Sequence, residues 1–295
     1  HSGHSSVVKI LLERGAEVDQ AVSGCTPLFY ACHNGDVDAA RLLLERGADV
    51  AREDISGTTP LWNACAEGHL DVARLLLEHG ADVDQADQAG WTPLIVVCQT
   101  GPVEAVELLL KHNADTCLAT RGSGSSPLQV ALQNGHLDAA RLLLERGAEV
   151  DQARRKDGAT SLFVACQTGH VDAARLLLDK GAEVDRTDMV GETALFHACD
   201  QGHIDVVQLL LEHCADANHK NKYLVTPLCY ACKQGHAAVV KLLLERGTEV
   251  QGDDDDVSPG GSSDGDKFHE GDVVDVRYQG GEEYCPAKIS RAHGD

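Results

Sequence analysis

Residues 59–81 read TPLWNACAEGHLDVARLLLEHGA, and the reading of this stretch decides the fold. Thr59 is a helix N-cap residue, its hydroxyl placed to accept from an orphan backbone N–H, and Pro60 occupies the first helical position, where no N–H is needed. A first helix of about eight residues therefore starts at a fixed point and runs to Gly68, which takes the positive φ of a tight helix-to-helix turn. A second helix follows. Its apolar positions Leu70, Val72, Ala73, Leu75, Leu76 and Leu77 leave Asp71, Arg74 and Glu78 for solvent, and Gly80 closes it.

The same stretch recurs along the chain. Thr-Pro-Leu or a close relative starts at Thr26, Thr59, Thr92, Ser126, Thr160, Thr193 and Thr226, in steps of 33, 33, 34, 34, 33 and 33 residues. Nine residues after each start stands a Gly, usually followed by His, and every second helix ends Leu-Leu-Leu. A period of this length marks a stacked solenoid, in which each unit buries its apolar side only against adjoining units.

Composition narrows the function. The 295 residues carry 25 Lys+Arg against 47 Asp+Glu, a net charge of −22, which argues against a binder that tracks nucleic-acid phosphates or an anionic membrane. Apolar residues make up 43% but aromatic ones only 4%, so the core is aliphatic and carbohydrate-stacking clefts are disfavoured. No apolar run reaches the ~18 residues of a membrane span. The chain opens at His1 without an initiator Met and its leading unit, Gly3 to Val18, supplies only a second helix, which reads as a cut from a longer protein. Six of the eleven cysteines, Cys32, Cys65, Cys98, Cys166, Cys199 and Cys232, recur with the same neighbours. They read as packing residues in a reducing, intracellular compartment, cytoplasm or nucleus.

These residues resemble the ankyrin repeat. Thr59 Pro60 Leu61, Ala64 Cys65, Gly68 His69 and Leu76 Leu77 Glu78 His79 Gly80 Ala81 stand where that family has Thr-Pro-Leu-His, Ala-Ala, Gly-His and Leu-Leu-x-x-Gly-Ala. The resemblance covers residues 3–250 and implies an all-α repeat solenoid of helix-turn-helix units with β-hairpin-like loops projecting at one edge. The expected organisation is a repeat domain over 1–250, made of a half repeat (1–20) and seven repeats starting near 22, 55, 88, 122, 156, 189 and 222. An acidic Gly/Ser/Asp linker over 251–267 and a short β segment over 268–295 follow. In that last segment the strands about Gly280 and Gly281 look like the opening of a Tudor-type or SH3-like barrel. Complete Tudor modules hold methylated Lys or Arg in an aromatic cage, for which Tyr278 and Tyr284 are the candidates.

The chain also departs from the family. The His that follows Thr-Pro-Leu is replaced by Phe29, Trp62, Ile95, Gln129, Phe163, Phe196 and Cys229, which predicts looser loops, since a lost hydrogen bond forfeits about 0.5–1.5 kcal/mol. Cys214 stands where a closing Gly is expected. A left-handed residue there costs roughly 1 kcal/mol, so this turn is expected to fray or differ, whereas Asn113 at the equivalent place is tolerable.

No constellation points to catalysis or a cofactor. Cys229 and Cys232 form a Cys-x-x-Cys at a helix start, but Cys232 fills the packing slot of five other repeats and no βαβ unit surrounds the pair. His69, His136, His170, His203 and His236 come once per repeat and read as scaffold. Without zinc-finger spacing no metal site is expected, and Asp253 to Asp256 lacks the features of a calcium loop.

Binding residues are sought where the repeats differ from one another. On the first helices the variable positions fall on one face, which in the family lines a concave groove: Tyr30, His33, Asn63, Gln99, Gln133, Gln167, His197, Tyr230 and Lys233. At the loop tips Glu53, Asp54 and Asp87 come early, whereas Arg154, Arg155, Lys156, Arg186, Lys220 and Lys222 come late, with Trp91 and Tyr223 as aromatic contacts. The expected function is a monomeric, non-enzymatic scaffold that binds a protein partner, through an acidic or phosphorylated segment, without direct contact to nucleic acid or membrane. The alternatives are a chromatin-associated reader using the Tudor-like module, or the targeting region of a larger enzyme.

Overall fold

The computed structural model describes residues 2–248, 273–277 and 284–288. The expected linker over 251–267 and Tyr278 lie outside the described residues. Fifteen helices are formed among those described: α1 (Ser2–Glu13), α2 (Pro27–His33), α3 (Val37–Glu45), α4 (Pro60–Ala66), α5 (Leu70–Glu78), α6 (Pro93–Thr100), α7 (Val103–Lys111), α8 (Pro127–Gln133), α9 (Leu137–Glu145), α10 (Ser161–Thr168), α11 (Val171–Asp179), α12 (Ala194–Gln201), α13 (Ile204–Glu212), α14 (Pro227–Gln234) and α15 (Ala237–Glu245). The chain divides into two compact units, residues 1–161 and 162–295.

Local chemistry starts the first helix of each pair. In α2, α4, α6 and α8 the hydroxyl of Thr26, Thr59, Thr92 or Ser126 accepts from the backbone N–H three residues on, at 3.1–3.4 Å. Thr193 and Thr226 depart from this expectation. Their side chains make no cap bond, and their carbonyls accept from the N–H of Phe196 and Cys229 instead, at 3.0 and 3.1 Å. A tightened first turn satisfies the orphan donor there without the hydroxyl.

In the first unit α2, α4, α6 and α8 stack as one row, and α1, α3, α5, α7 and α9 stack behind it as a second. The core lies between the rows. Leu28, Leu61, Leu94 and Leu128 reach in from the front, Leu43, Leu76, Leu109 and Leu143 from the back, and all are buried. In the second unit α12 packs on α14, and α13 lies between α11 and α15. Leu162, Leu195 and Leu228 face Leu177, Leu210 and Leu243 in the same pattern. Full burial of a leucine contributes about 1.5–3 kcal/mol, so each pair of facing leucines offsets the ordering of several residues.

The turn between paired helices locks to the following repeat. His136 donates through Nε2 to the Gln99 carbonyl at 3.1 Å, and a Cβ added at Gly101 would meet the His136 ring at 2.4 Å. The same bond joins His69 to the His33 carbonyl at 3.0 Å in this unit. In the second unit it joins His203 to the Gln167 carbonyl (3.2 Å) and His236 to the Asp200 carbonyl (2.9 Å). Gly68 is the internal contrast. The repeat after it has Pro102 in the histidine slot, and a Cβ at Gly68 would meet nothing within 4 Å.

Two expectations are corrected. The turn at Cys214 does not differ from its equivalents: Cys214 holds φ +63°, and Ala215 N–H reaches the Leu210 carbonyl at 3.0 Å, just as Ala114 reaches Leu109 at 3.1 Å beside Asn113. The packing of Leu210 holds the turn against the backbone strain. Nor are the loops uniformly loosened. Trp62 Nε1 donates to the Trp91 carbonyl at 2.9 Å, and Gln129 Nε2 donates to the carbonyls of Gln152 and Ala159 at 2.9 and 3.0 Å. These longer side chains replace the missing polar tie.

Beyond the helices, strands β1 (Val273–Arg277) and β2 (Tyr284–Lys288) pair antiparallel, with Val273 opposite Lys288 and Arg277 opposite Tyr284.

Two stability outcomes follow in urea unfolding. Gly68→Ala costs about 1 kcal/mol, the strain of a left-handed alanine, whereas Gly101→Ala costs at least about 1 kcal/mol more, because the added methyl displaces His136. Cys214→Gly, by relieving the same strain, stabilises by about 1 kcal/mol.

Candidate protein-binding site

Four of the loops fold into a finger around one side chain. Asp87 Oδ1 accepts from the N–H groups of Ala89 and Trp91 at 2.9 and 2.8 Å, and Asp87 N–H pairs with the Trp91 carbonyl at 3.1 Å. Asp54 does the same for Ser56 and Thr58, Asp188 for Val190 and Glu192, and Asn221 for Tyr223 and Val225. Backbone bonds then stitch successive fingers: Gln88 N–H to the Ser56 carbonyl, Arg121 N–H to Ala89, and Lys222 N–H to Val190. Asp54 and Asp87 are therefore parts of the scaffold, and the expected acidic tips are largely spent on building the fingers.

Between finger and first helices the first unit has a cleft of about 340 Å³, lined by Trp62, Asp87, Trp91, Val96, Gln99 and Thr100 among others. Both tryptophans are half-buried; Trp62 Nε1 donates to the Trp91 carbonyl, and the Trp91 backbone N–H is held by Asp87. A second recess, of about 370 Å³, opens beside Tyr30 and is bordered by Val8, Val22 and Ala39. Tyr30 is 49% exposed and meets Phe29 edge to face at 6.4 Å. His33, Gln99 and Gln133 are exposed on the same helices, with His33 Nδ1 3.5 Å from Glu67. Asn63 is not available as expected. It is buried and donates to the Phe29 carbonyl at 3.5 Å.

The basic tips divide into committed and open side chains. Arg154 is half-buried in a two-bond pair with Asp157, Nε to Oδ1 at 3.1 Å and Nη2 to Oδ2 at 2.8 Å, while Arg155 and Lys156 beside it are exposed. In the second unit Lys220 and Tyr223 are exposed, Arg186 is half-buried, and the Lys222 ammonium donates to the Met189 carbonyl. Gln167 and Lys233 are exposed on α10 and α14. His197 is half-buried with its ring 5.2 Å from that of Phe163. Tyr230 is half-buried as well, donating its hydroxyl to Glu192 at 2.6 Å and meeting Phe196 edge to face at 5.6 Å. Of Tyr284 only the backbone is described.

Sequence comparison between repeats missed Trp62 and Glu192. Trp62 sat in a slot assigned to packing bulk, and Glu192 precedes the cap in a position held elsewhere by Thr58, Trp91 and Val225. A glutamate at a position otherwise uncharged was the signal.

The repeated cysteines are buried thiols. Burial pushes the Cys65 thiol up from its ordinary 9.0 to about 12 and moves Cys32, Cys98, Cys166 and Cys199 further in the same direction. Neutral at physiological pH, they lack the thiolate that nucleophilic or redox chemistry needs. Cys229 is half-buried, with its sulfur 3.3 Å from the Thr226 hydroxyl.

Stacked helix pairs that present fingers and a cleft over a fixed frame define a repeat interaction module. The family described as ankyrin repeats (3 copies) matches residues 1–54, 51–120, 84–154, 116–188 and 185–254. The chain belongs to the ankyrin repeat family, whose domains are protein–protein interaction modules. Among solved structures it is similar to the ankyrin repeat domain of Bcl-3, described as a unique member of the IkappaB protein family. That likeness has 28% identity and a TM-score of 0.67, and covers 76% of this chain and all of that one. It is similar also to the human ASB11 ankyrin repeat domain, at 30% identity and a TM-score of 0.67, covering 76% and 99%. Comparison with curated proteins gives no match. No helix among the described residues is long and apolar enough to cross a membrane.

The buried thiols set a pH response. The unfolded chain loses the Cys65 proton near 9.0 while the folded chain holds it to about 12, so stability falls as pH rises through that interval. The loss is about 1.4 kcal/mol per pH unit for one thiol. Cys65→Ala removes this increment, and urea midpoints measured from about pH 9 to 10.5 decline less steeply for the variant than for the parent.

Proposed function

We propose that this chain is a non-enzymatic, monomeric scaffold that captures a partner protein along the first-helix face and the finger tips of its repeats. The observation that carries the reading is the cleft of Trp62 and Trp91. Two half-buried tryptophans line it, the Trp62 ring tied through Nε1 to the Trp91 carbonyl and the Trp91 backbone tied to Asp87, beside the exposed amide of Gln99. Rigid aromatic side chains in a preformed recess contribute most to protein recognition, because little freedom is lost when they are covered.

In the same unit Arg155 and Lys156 supply the charge for an acidic or phosphorylated segment. Arg154 shapes that tip through Asp157 rather than meeting the partner. In the second unit Tyr223, Lys220 and the first-helix residues Gln167 and Lys233 are exposed contacts of the same kind. On a chain of net charge −22, two adjacent open cations select acidic segments against the background, and the selection weakens with salt.

A peptide array of acidic, phosphorylated, neutral and basic segments, probed with the full chain, tests this reading. Acidic and phosphorylated peptides are expected to be retained, with binding that drops as salt rises. The double variant Arg155→Glu with Lys156→Glu loses about tenfold in affinity and most of the salt dependence. Trp91→Ala loses about thirtyfold at every salt concentration, as removal of an anchor worth about 2 kcal/mol requires. Equal retention of acidic and basic peptides, unaltered in both variants, overturns the assignment.

A further inference from the structure

The second unit gathers three metal-type donors from the finger, the residue before the cap and the first helix that follows. Asp188, Glu192 and His197 each offer one ligand atom, and the three atoms lie within 4.8 Å of one another. Asp188 belongs to the finger scaffold, as Asp54 and Asp87 do. The other two are additions: at the positions of Glu192 and His197, neighbouring repeats carry Thr58 and Asn63, Trp91 and Val96, or Val225 and Tyr230.

The cluster is set in a firm frame. Glu192 is only 8% exposed, and its Oε1 accepts from Tyr230 Oη at 2.6 Å and Asn221 Nδ2 at 3.0 Å. Asp188 Oδ1 is fixed by two backbone N–H groups, and the Phe163 ring supports His197. One oxygen of each carboxylate is thus held by protein donors, which fixes both acids beside the imidazole. Neither carboxylate is paired with a Lys or Arg among the described residues. A buried carboxylate beside a second one calls for a compensating positive charge.

We propose that Asp188, Glu192 and His197 form a binding site for a divalent transition-metal ion of the Zn²⁺ type. The donor set decides the class: two carboxylate oxygens and an imidazole nitrogen suit a borderline ion, whereas a basic side chain of a partner gains nothing from the imidazole. Tetrahedral Zn²⁺ places its ligands roughly 3.4 Å apart, so binding draws the three atoms closer than the 4.8 Å within which they now lie. Tyr230 and Asn221 act as the outer partners that orient a ligating carboxylate.

The test uses the full chain, stripped with chelator and titrated with ZnCl₂ by calorimetry and with CoCl₂ by absorption spectroscopy. One ion is expected to bind with the visible spectrum of oxygen and nitrogen ligation and without a thiolate charge-transfer band. His197→Ala reduces the affinity at least about tenfold, and Tyr230→Phe, which keeps all three ligands, about tenfold. Circular dichroism confirms that His197→Ala is folded, which separates the result from that of the more buried Glu192→Gln. Absence of such an ion, ligation through cysteine thiolates only, or unchanged affinity in His197→Ala overturns the proposal.

Discussion

Helices of seven to nine residues are too short to persist in water on their own account. Every helix of the repeats depends on a neighbour to cover its leucines. Leu76 of α5 has no solvent exposure because α3 and α7 flank it and α4 covers its front, and the same holds for Leu109 one repeat on. Stability is accordingly a property of interfaces between copies, and the face that no copy covers is left to other molecules. This constraint explains why side chains divide so sharply between those consumed by stacking and those that remain open.

The division is finer than residue type suggests. Aspartates at the tips seem suited to display charge, yet Asp54, Asp87 and Asp188 turn their oxygens inward on backbone donors. Arg154 is drawn into the same work by Asp157, while its neighbours Arg155 and Lys156 extend into solvent. In the proposed scaffold, recognition rests on positions one or two residues from the scaffold positions, at tips whose shape the scaffold has already set. That arrangement lets a binding residue change without disturbing the finger that carries it.

The repeat period, the helix positions and the turn glycines were legible in the sequence, because each follows from chemistry within a few residues of itself, although the hydroxyl cap expected at Thr193 and Thr226 is not made. What lay beyond reach depended on contacts some thirty residues away. Asn63 looked like a free face residue and is tied to Phe29 of the preceding repeat. Trp62 and Gln129 looked like replacements that would loosen the loops, and both reach the next loop with a donor that a shorter side chain lacks. The turn at Cys214 was misjudged for a related reason: a local strain of roughly 1 kcal/mol is outweighed by the packing of Leu210 and its neighbours. Asp188, Glu192 and His197 are near in sequence, but they stand in the finger, before the cap and on α12, and the turn of the chain between these brings their ligand atoms together.

The contact between a turn glycine and the next histidine has a consequence for how such a chain lengthens. A copy such as the one starting at Thr59 or Thr193 carries an imidazole toward its predecessor, and most copies carry a bare glycine turn toward their successor. Duplicating one whole period that carries the histidine leaves its junctions matched, whereas a change of a few residues within a period strands a ring against the wrong backbone. Growth by complete modules is thereby favoured, and Pro102 beside Gly68 marks a junction where that fit has been given up and shape alone must hold the two copies together.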